Sequence, residues 1–388
     1  MEKPVRIKIF AAIAFYLFAT NLLVQNGLLE WWPVERAHWT AADQPQNLPA
    51  VLLSALRNAG ADAFSVRLPG LLVLLGTLVG FFVLGKKILR QSTVLYALLV
   101  AGSSLLLPNV AKFATSDIWL FAAQTFTALA LIFYLKQPLP KWKIAGLFAL
   151  FLGALVNPVS MALFVGLMGG GLFFLHKNGR QMVGLWLWLL PVLGGLAAAF
   201  VGLLPGFISP FEWTHIAQVS WYKYLIISFL GVFPWIGFAL PGVWQTIQRV
   251  RRKEEFSIIM LCWLVGGLFS FSITPQLVLA ILIAKQIEGF FDPRYPYDNA
   301  VKATSLIHLG VVLFGAIYLI LISWENLKGL GFRTAMMTTL FYWMGTLLAF
   351  IGLYGKNRSV IIGGLAAAGL LGTWFFWTKA FPVFLAGG

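Results

Sequence analysis

The sequence predicts an all-α polytopic membrane protein of about thirteen helices (11–13) with no large soluble domain. Three observations predict it. Only 11% of the 388 residues are charged and 60% are hydrophobic, whereas a soluble globular domain carries about 25% charge. The apolar residues gather in runs close to the roughly 20 residues a helix needs to cross hydrocarbon, and mean hydropathy is +0.86. Lys and Arg form small clusters between these runs. That distribution also sets aside nucleic acid as the partner implied by the net charge of +15, because topology accounts for such clusters. The single Cys262 lies in an apolar run, which excludes an intrachain disulfide and a four-cysteine metal site.

The N-terminal stretch MEKPVRIKIFAAIAFYLFATNLLVQ has a basic start and an apolar stretch longer than the ~7–15 residues of a signal peptide. No small-x-small cleavage site follows, so it reads as a retained first span. Further spans are predicted near 66–85, 91–108, 115–135, 144–157, 158–175, 183–204, 223–246, 256–273, 275–288, 303–324, 334–354 and 360–378, after a first near 9–29. Backbone groups in lipid must be paired internally, so these runs are expected to be helices. Asn157–Pro158 and Thr274–Pro275 break adjacent runs, since proline removes a donor and clashes with the preceding turn. Either pair could instead form one kinked element, which sets the range in the count.

Basic residues follow alternate runs. Lys3, Arg6 and Lys8 precede the first; Lys86, Lys87 and Arg90 follow the second; Lys136, Lys141 and Lys143 follow the fourth. Lys177 and Arg180, then Arg249 to Lys253, then Lys356 and Arg358 continue the series. All fall on one side if thirteen spans alternate, and the positive-inside rule makes that side the cytoplasm, with a cytoplasmic N-terminus in an inner membrane. The stretch FFDPRYPYDNAVK falls on the same side. Opposite lie loops near 30–65, 109–114, 205–222 and 325–333. The first three and their edges hold Glu30, Glu35, Asp43, Asp62, Asp117 and Glu212, nearly half of the 13 acidic residues. The chain reads as a single transmembrane domain over 1–388, with a first extracytoplasmic loop at 30–65 and a further one at 205–222. Trp31, Trp32 and Trp39 in the first loop suit an interfacial belt. LPAVLLSALRNAG there reads as a surface amphipathic helix with Leu48, Leu52, Leu53 and Leu56 as its stripe.

Ionisable residues within or beside hydrocarbon are costly and so become functional candidates. Asp117 begins the fourth span, where a helix cap or a first-turn acid is the plainer reading. Glu35 and Asp43, with His38 between them, could supply a general base for an acceptor hydroxyl or amine, or form a solvated loop face. Arg67 opens the second span and either snorkels to headgroups or faces a cavity and holds a phosphate. Arg57, Lys112 and Lys223 are further cations on that side able to neutralise a phosphate. Glu212 and His215 lie in the aromatic loop FISPFEWTHIAQVSWYKY, as acceptor or cavity candidates together with His38. No ligand spacing marks a metal site, no phosphate-binding glycine loop is present, and no cofactor is implied.

Five stretches together resemble the aminoarabinose-transferase and protein-mannosyltransferase superfamily of GT-C membrane glycosyltransferases. They are FSVRLPGLLVLLGTLVGFFVLGKKIL, NVAKFATSDIWLFAAQTFTALALIFYL, WKIAGLFALFLGALVNPVSMALFVGL, WYKYLIISFLGVFPWIGFALPGVW and IIMLCWLVGGLFSFSITPQLVLAILI. The resemblance implies a GT-C-like transmembrane domain, a polyprenyl-phosphate-linked sugar and membrane lipid as partners, and reaction on the extracytoplasmic side. The family's second-loop aspartate matches Asp117 and its RLP matches Arg67-Leu68-Pro69. Its first-loop acidic pair matches Val34-Glu35 and its Lys-Pro-Pro matches Asn47-Leu48-Pro49, so two positions that carry chemistry in the family hold other residues here. The resemblance therefore implies a glycosyltransferase, with a catalytically degenerate subunit of a larger membrane complex, held to protein partners, as the alternative.

Overall fold

The computed structural model describes residues 58–113, 115–179, 221–326 and 330–375, with isolated residues 49, 52, 55 and 56. The described residues form thirteen helices. They are α1 Ala63–Gly85, α2 Gln91–Ser103, α3 Leu106–Val110, α4 Asp117–Lys136, α5 Pro140–Val156, α6 Pro158–Leu175, α7 Trp221–Leu230, α8 Ile236–Arg251, α9 Glu255–Phe269, α10 Pro275–Phe290, α11 Asp298–Asn326, α12 Leu330–Tyr354 and α13 Arg358–Phe375. Six of them are long and apolar enough to cross a membrane, α4, α6 and α11 among them. The chain is a multi-pass membrane protein. The expected spans near 9–29 and 183–204 lie outside the described residues.

Most boundaries follow from local chemistry. Asp62 caps α1 by accepting from the Ser65 N–H at 2.9 Å, and Asn157 caps α6 by accepting from the Ser160 N–H at 2.9 Å. Pro158 follows in the first helical position, where its missing N–H costs nothing. Asn157–Pro158 thus separates two helices rather than kinking one. Thr274–Pro275 does the same, since α9 ends at Phe269 and the intervening turn carries Phe271 at φ 51°.

Two expected spans are interrupted, and the interruptions face each other. The span near 91–108 breaks at Ser104 and Leu105 into α2 and α3, and that near 223–246 breaks at Gly231–Trp235 into α7 and α8. Leu105 N–H donates to the Phe233 carbonyl at 3.0 Å and Leu106 N–H to the Gly231 carbonyl at 2.9 Å. Trp235 Nε1–H donates to Ser103 Oγ at 2.9 Å, and Gln276 Nε2 to the Ser228 carbonyl at 2.7 Å. Irregular backbone at membrane depth is tolerated only where protein satisfies its polar groups. Hydropathy averaged over a window does not register which two breaks will meet, so both spans looked continuous.

Helix α10 is the axis of the bundle. It is buried nearly all round and packs on α2, α8 and α9, while α4 packs on α1 and α5. The outer helices are inverted relative to a soluble fold. Ile307, Val311, Phe314, Tyr318 and Leu321 are exposed along one face of α11, three or four residues apart, as a lipid-facing stripe requires. The described basic clusters gather at one end of the bundle. Lys177 pairs with Glu255, and Lys356 reaches Asp298 at 3.3 Å. Arg90, Lys136 and Arg249 line a common cavity there. The FFDPRYPYDNAVK segment lies at this same end, with Asp298 also bonded to Lys302 at 2.7 Å.

Close approach at the paired breaks depends on Gly231. A Cβ there would meet Leu106 Cβ at 2.7 Å and Gln276 Nε2 at 2.8 Å, whereas one at Gly166 would meet nothing within 4 Å. Overpacking of this kind costs about 1–3 kcal/mol. Gly231→Ala is expected to lower the thermal midpoint of the detergent-solubilised protein, and Gly166→Ala to leave it level or slightly raised.

Candidate functional site

The end of the bundle opposite the basic clusters holds three buried charged side chains. Arg67 comes from the first turns of α1, Lys112 from the turn after α3, and Asp117 is the first residue of α4. Their exposures are 1%, 4% and 2%. The rows of α1 and α4 pack against each other, and a Cβ at Gly70 would reach the Phe113 carbonyl at 4.0 Å, so α1 lies directly against the segment that carries Lys112. Burial pushes the Lys112 ammonium down to about 7, and the charge of Arg67 pushes it the same way. Lys112 therefore changes charge close to neutral pH.

Asp117 sits where the helix dipole favours an anion, but its side chain does not cap the helix, and Ser116 makes no side-chain cap either. Asp117 Oδ1 and the nearby Thr115 Oγ1 are two of the eleven described side-chain atoms buried without a hydrogen-bond partner. Buried polar oxygens are normally paired, and each exception calls for an explanation such as a catalytic role or an absent ligand. A first-turn acid serving only the dipole would be expected at the surface; this one is enclosed.

A polar network lies beneath Asp117. Gln124 is seven residues further along α4, on the same face and about 10 Å below. Its amide donates to Ser270 Oγ at 3.1 Å and its carbonyl accepts from Ser272 Oγ at 2.6 Å and Thr274 Oγ1 at 2.7 Å. Ser160 Oγ donates to the Ser270 carbonyl at 2.8 Å. Tyr224 of α7 donates to the Ser272 carbonyl at 2.8 Å and lies within electrostatic reach of Asp117. The network fixes the turn between α9 and α10 against α4, and so fixes the floor below the aspartate.

Of the residues singled out from sequence, Arg67, Lys112 and Asp117 fall at this end together. Glu35, His38, Asp43, Arg57, Glu212 and His215 lie outside the described residues. Lys223 is exposed, while its neighbour Tyr224 is buried. Tyr224 and Gln124 were not anticipated. Gln124 had a readable signal, a polar residue at heptad spacing from Asp117 in an otherwise apolar helix; Tyr224 had none, being one aromatic in an aromatic-rich stretch. Among the described residues no group of three or more His, Cys, Asp or Glu could hold a metal.

No family model matches the chain. It is 27% identical over 314 residues to an undecaprenyl phosphate-alpha-4-amino-4-deoxy-L-arabinose arabinosyl transferase from Erwinia tasmaniensis, covering 68% of this chain and 53% of that protein. A second protein of that name, numbered 1, from Sodalis glossinidius is 31% identical over 248 residues, covering 58% of this chain and 42% of that one. The chain thus spans about half the length of the curated relatives it matches. Its fold matches the crystal structure of ArnT from Cupriavidus metallidurans in the apo state with a TM-score of 0.66 at 14% identity, over 98% of this chain and 79% of that one. The undecaprenyl phosphate-bound form of the same protein gives 0.65 at 13% identity, over 97% and 78%. The chain has the fold of that protein.

The floor network generates a stability test. Removing Gln124 leaves Ser270, Ser272 and Thr274 with lost partners inside the bundle, at about 1–3 kcal/mol for a buried unsatisfied group. Gln124→Leu is expected to lower the thermal midpoint, and Gln124→Glu to do so less at low pH, where the protonated acid keeps a donor and an acceptor.

Proposed function

We propose that the chain is a membrane glycosyltransferase moving a sugar from a polyprenyl-phosphate donor, undecaprenyl phosphate being the carrier named for its relatives, to a lipid, glycan or protein acceptor. The observation that carries this reading is the enclosure of Arg67, Lys112 and Asp117 at one end of a membrane bundle. Ionisable groups held that deep in a membrane bundle are costly, and they mark functional sites. The resemblance to aminoarabinose transferases supports the donor class. It also favours an active transferase over a scaffold subunit of a larger complex.

In this reading Arg67 and Lys112, with Arg57, neutralise the donor phosphate, and Glu35 or Asp43 accepts the proton of the acceptor. The acceptor atom attacks the anomeric carbon as the bond to the phosphate oxygen breaks, with inversion, and polyprenyl phosphate leaves carrying the electron pair. Asp117 orients the acceptor, and His38, Glu212 and His215 line its approach. The reaction takes place on the extracytoplasmic side of an inner membrane, where the first loop at 30–65 also lies, with the N-terminus in the cytoplasm. The clustering of described basic residues at the far end of the bundle supports this orientation through the positive-inside rule.

Purified protein given polyprenyl-phosphate sugars is expected to release polyprenyl phosphate. Asp117→Asn should slow release by about 100-fold, the order expected when an orienting contact is lost, and loss of the general base at Glu35 or Asp43 should cost about 10²–10⁴-fold. Release unchanged in the Asp117 and loop variants, or absent with every donor, would remove the reading.

The position of Lys112 adds a pH dependence. In the free protein it is protonated below about 7, and a bound phosphate holds the proton on. The complex then binds more protons than the free protein, so affinity for polyprenyl phosphate should fall as pH rises through 7 and above. Lys112→Gln should bind more weakly and show a flatter profile over that window, read by titration calorimetry in detergent.

A further inference from the structure

The basic end of the bundle contains a cavity of about 610 Å³ between the ends of five helices. Arg90 at the start of α2, Lys136 at the end of α4, Arg249 in the last turn of α8 and Lys285 in α10 line it, with the carboxylates Glu255 and Glu288. A second hollow of about 300 Å³ adjoins it through the shared Arg249, Lys285 and Glu288. Cations at helix C-termini are favoured by the dipole, which explains each of Lys136 and Arg249 singly. It does not explain why four cations from four elements turn to one cavity.

Two lining carboxylates do not balance four lining cations. Glu255 is paired with Lys177 outside the cavity lining. Glu288 accepts from Ser92 Oγ and from Thr93 Oγ1 at 2.7 Å. Arg249 reaches Glu254 at 3.4 Å, and Lys285 lies over the Phe256 ring at 3.5 Å. Among the described residues, none of Arg90, Lys136 and Lys285 forms an ion pair with a carboxylate. The four cations outnumber the lining carboxylates and repel one another across a space that a headgroup would fill, and basic pockets between membrane helices suit phosphate headgroups.

We infer that this cavity binds a phosphate-bearing anion through Arg90, Lys136, Arg249 and Lys285, at the end of the bundle away from Asp117. The volume falls within the range of small-molecule sites, about 300–1,000 Å³. The ligand is either the headgroup of an anionic glycerophospholipid or a soluble phosphate compound, and the shared chemistry is a phosphate oxygen held by guanidinium and ammonium groups.

The test compares thermal midpoints of the full chain in nanodiscs of phosphatidylcholine alone, the same discs containing phosphatidylglycerol, and phosphatidylcholine discs with inorganic pyrophosphate added. Arg90→Gln with Lys136→Gln removes two exposed cavity cations. Arg251→Gln with Lys253→Gln removes the same charge from exposed positions that do not line the cavity. A rise in midpoint on adding phosphatidylglycerol that falls by at least half in the first pair, and persists in the second, identifies a lipid headgroup. The same pattern with pyrophosphate identifies a soluble phosphate. No rise with either probe, or equal loss in both pairs, would overturn the site and reduce the cluster to diffuse surface charge.

Discussion

The N–H groups of Leu105 and Leu106 have no helical carbonyl to bond, and the carbonyls of Gly231 and Phe233 have no helical N–H. Each break satisfies the other, at 3.0 and 2.9 Å, inside a bundle where an unpaired amide would cost several kcal/mol. Hydrocarbon offers no water to fill the role, so the two irregular segments must meet or neither can exist at that depth. The consequence propagates. Trp235 is locked to Ser103, Gln276 to the carbonyl of Ser228, and through them α2, α7, α8 and α10 share one register. The axial position of α10 follows from this pairing more than from its apolar composition, which several outer helices match.

Breaks that are satisfied in pairs leave polar groups concentrated at particular levels. Gln124 gathers the hydroxyls of Ser270, Ser272 and Thr274, and Tyr224 closes the turn from the other side. The network is satisfied where it supports structure and unsatisfied one level higher, at Thr115 and Asp117. Asp117 Oδ1 and Thr115 Oγ1 thus leave unmet hydrogen-bonding capacity beside the buried charges, where a ligand can use it. The same division explains why the buried charges Arg67, Lys112 and Asp117 coexist with an apolar core of close-packed Leu, Ile and Phe.

The two ends of the bundle hold charge differently. At the end of Asp117 three of the described charged side chains, Arg67, Lys112 and Asp117, are nearly fully buried. At the other end they are many, half-exposed and partly paired across helices, as with Lys177 and Glu255 or Lys356 and Asp298. The first arrangement suits selective binding of one charged group in a low-dielectric pocket. The second suits anchoring against a charged interface.

Hydropathy and charge spacing by themselves determined that the chain is a helical membrane bundle, that its basic clusters share an end, and that Asp117, Arg67 and Lys112 share the other. Those properties depend on run length and alternation, which are local. The cap at Asn157 was equally legible, because asparagine followed by proline ends one helix and starts the next whatever surrounds it. Only the tertiary structure decided that the spans near 91–108 and 223–246 are broken, since a break is tolerable only when a distant segment supplies its hydrogen bonds. It also decided that Tyr224 turns inward while Lys223 turns out, and that Arg90, Lys136, Arg249 and Lys285 converge on one cavity. Those facts depend on which helices become neighbours, and separations of 100 residues or more carry no periodicity for a sequence to display.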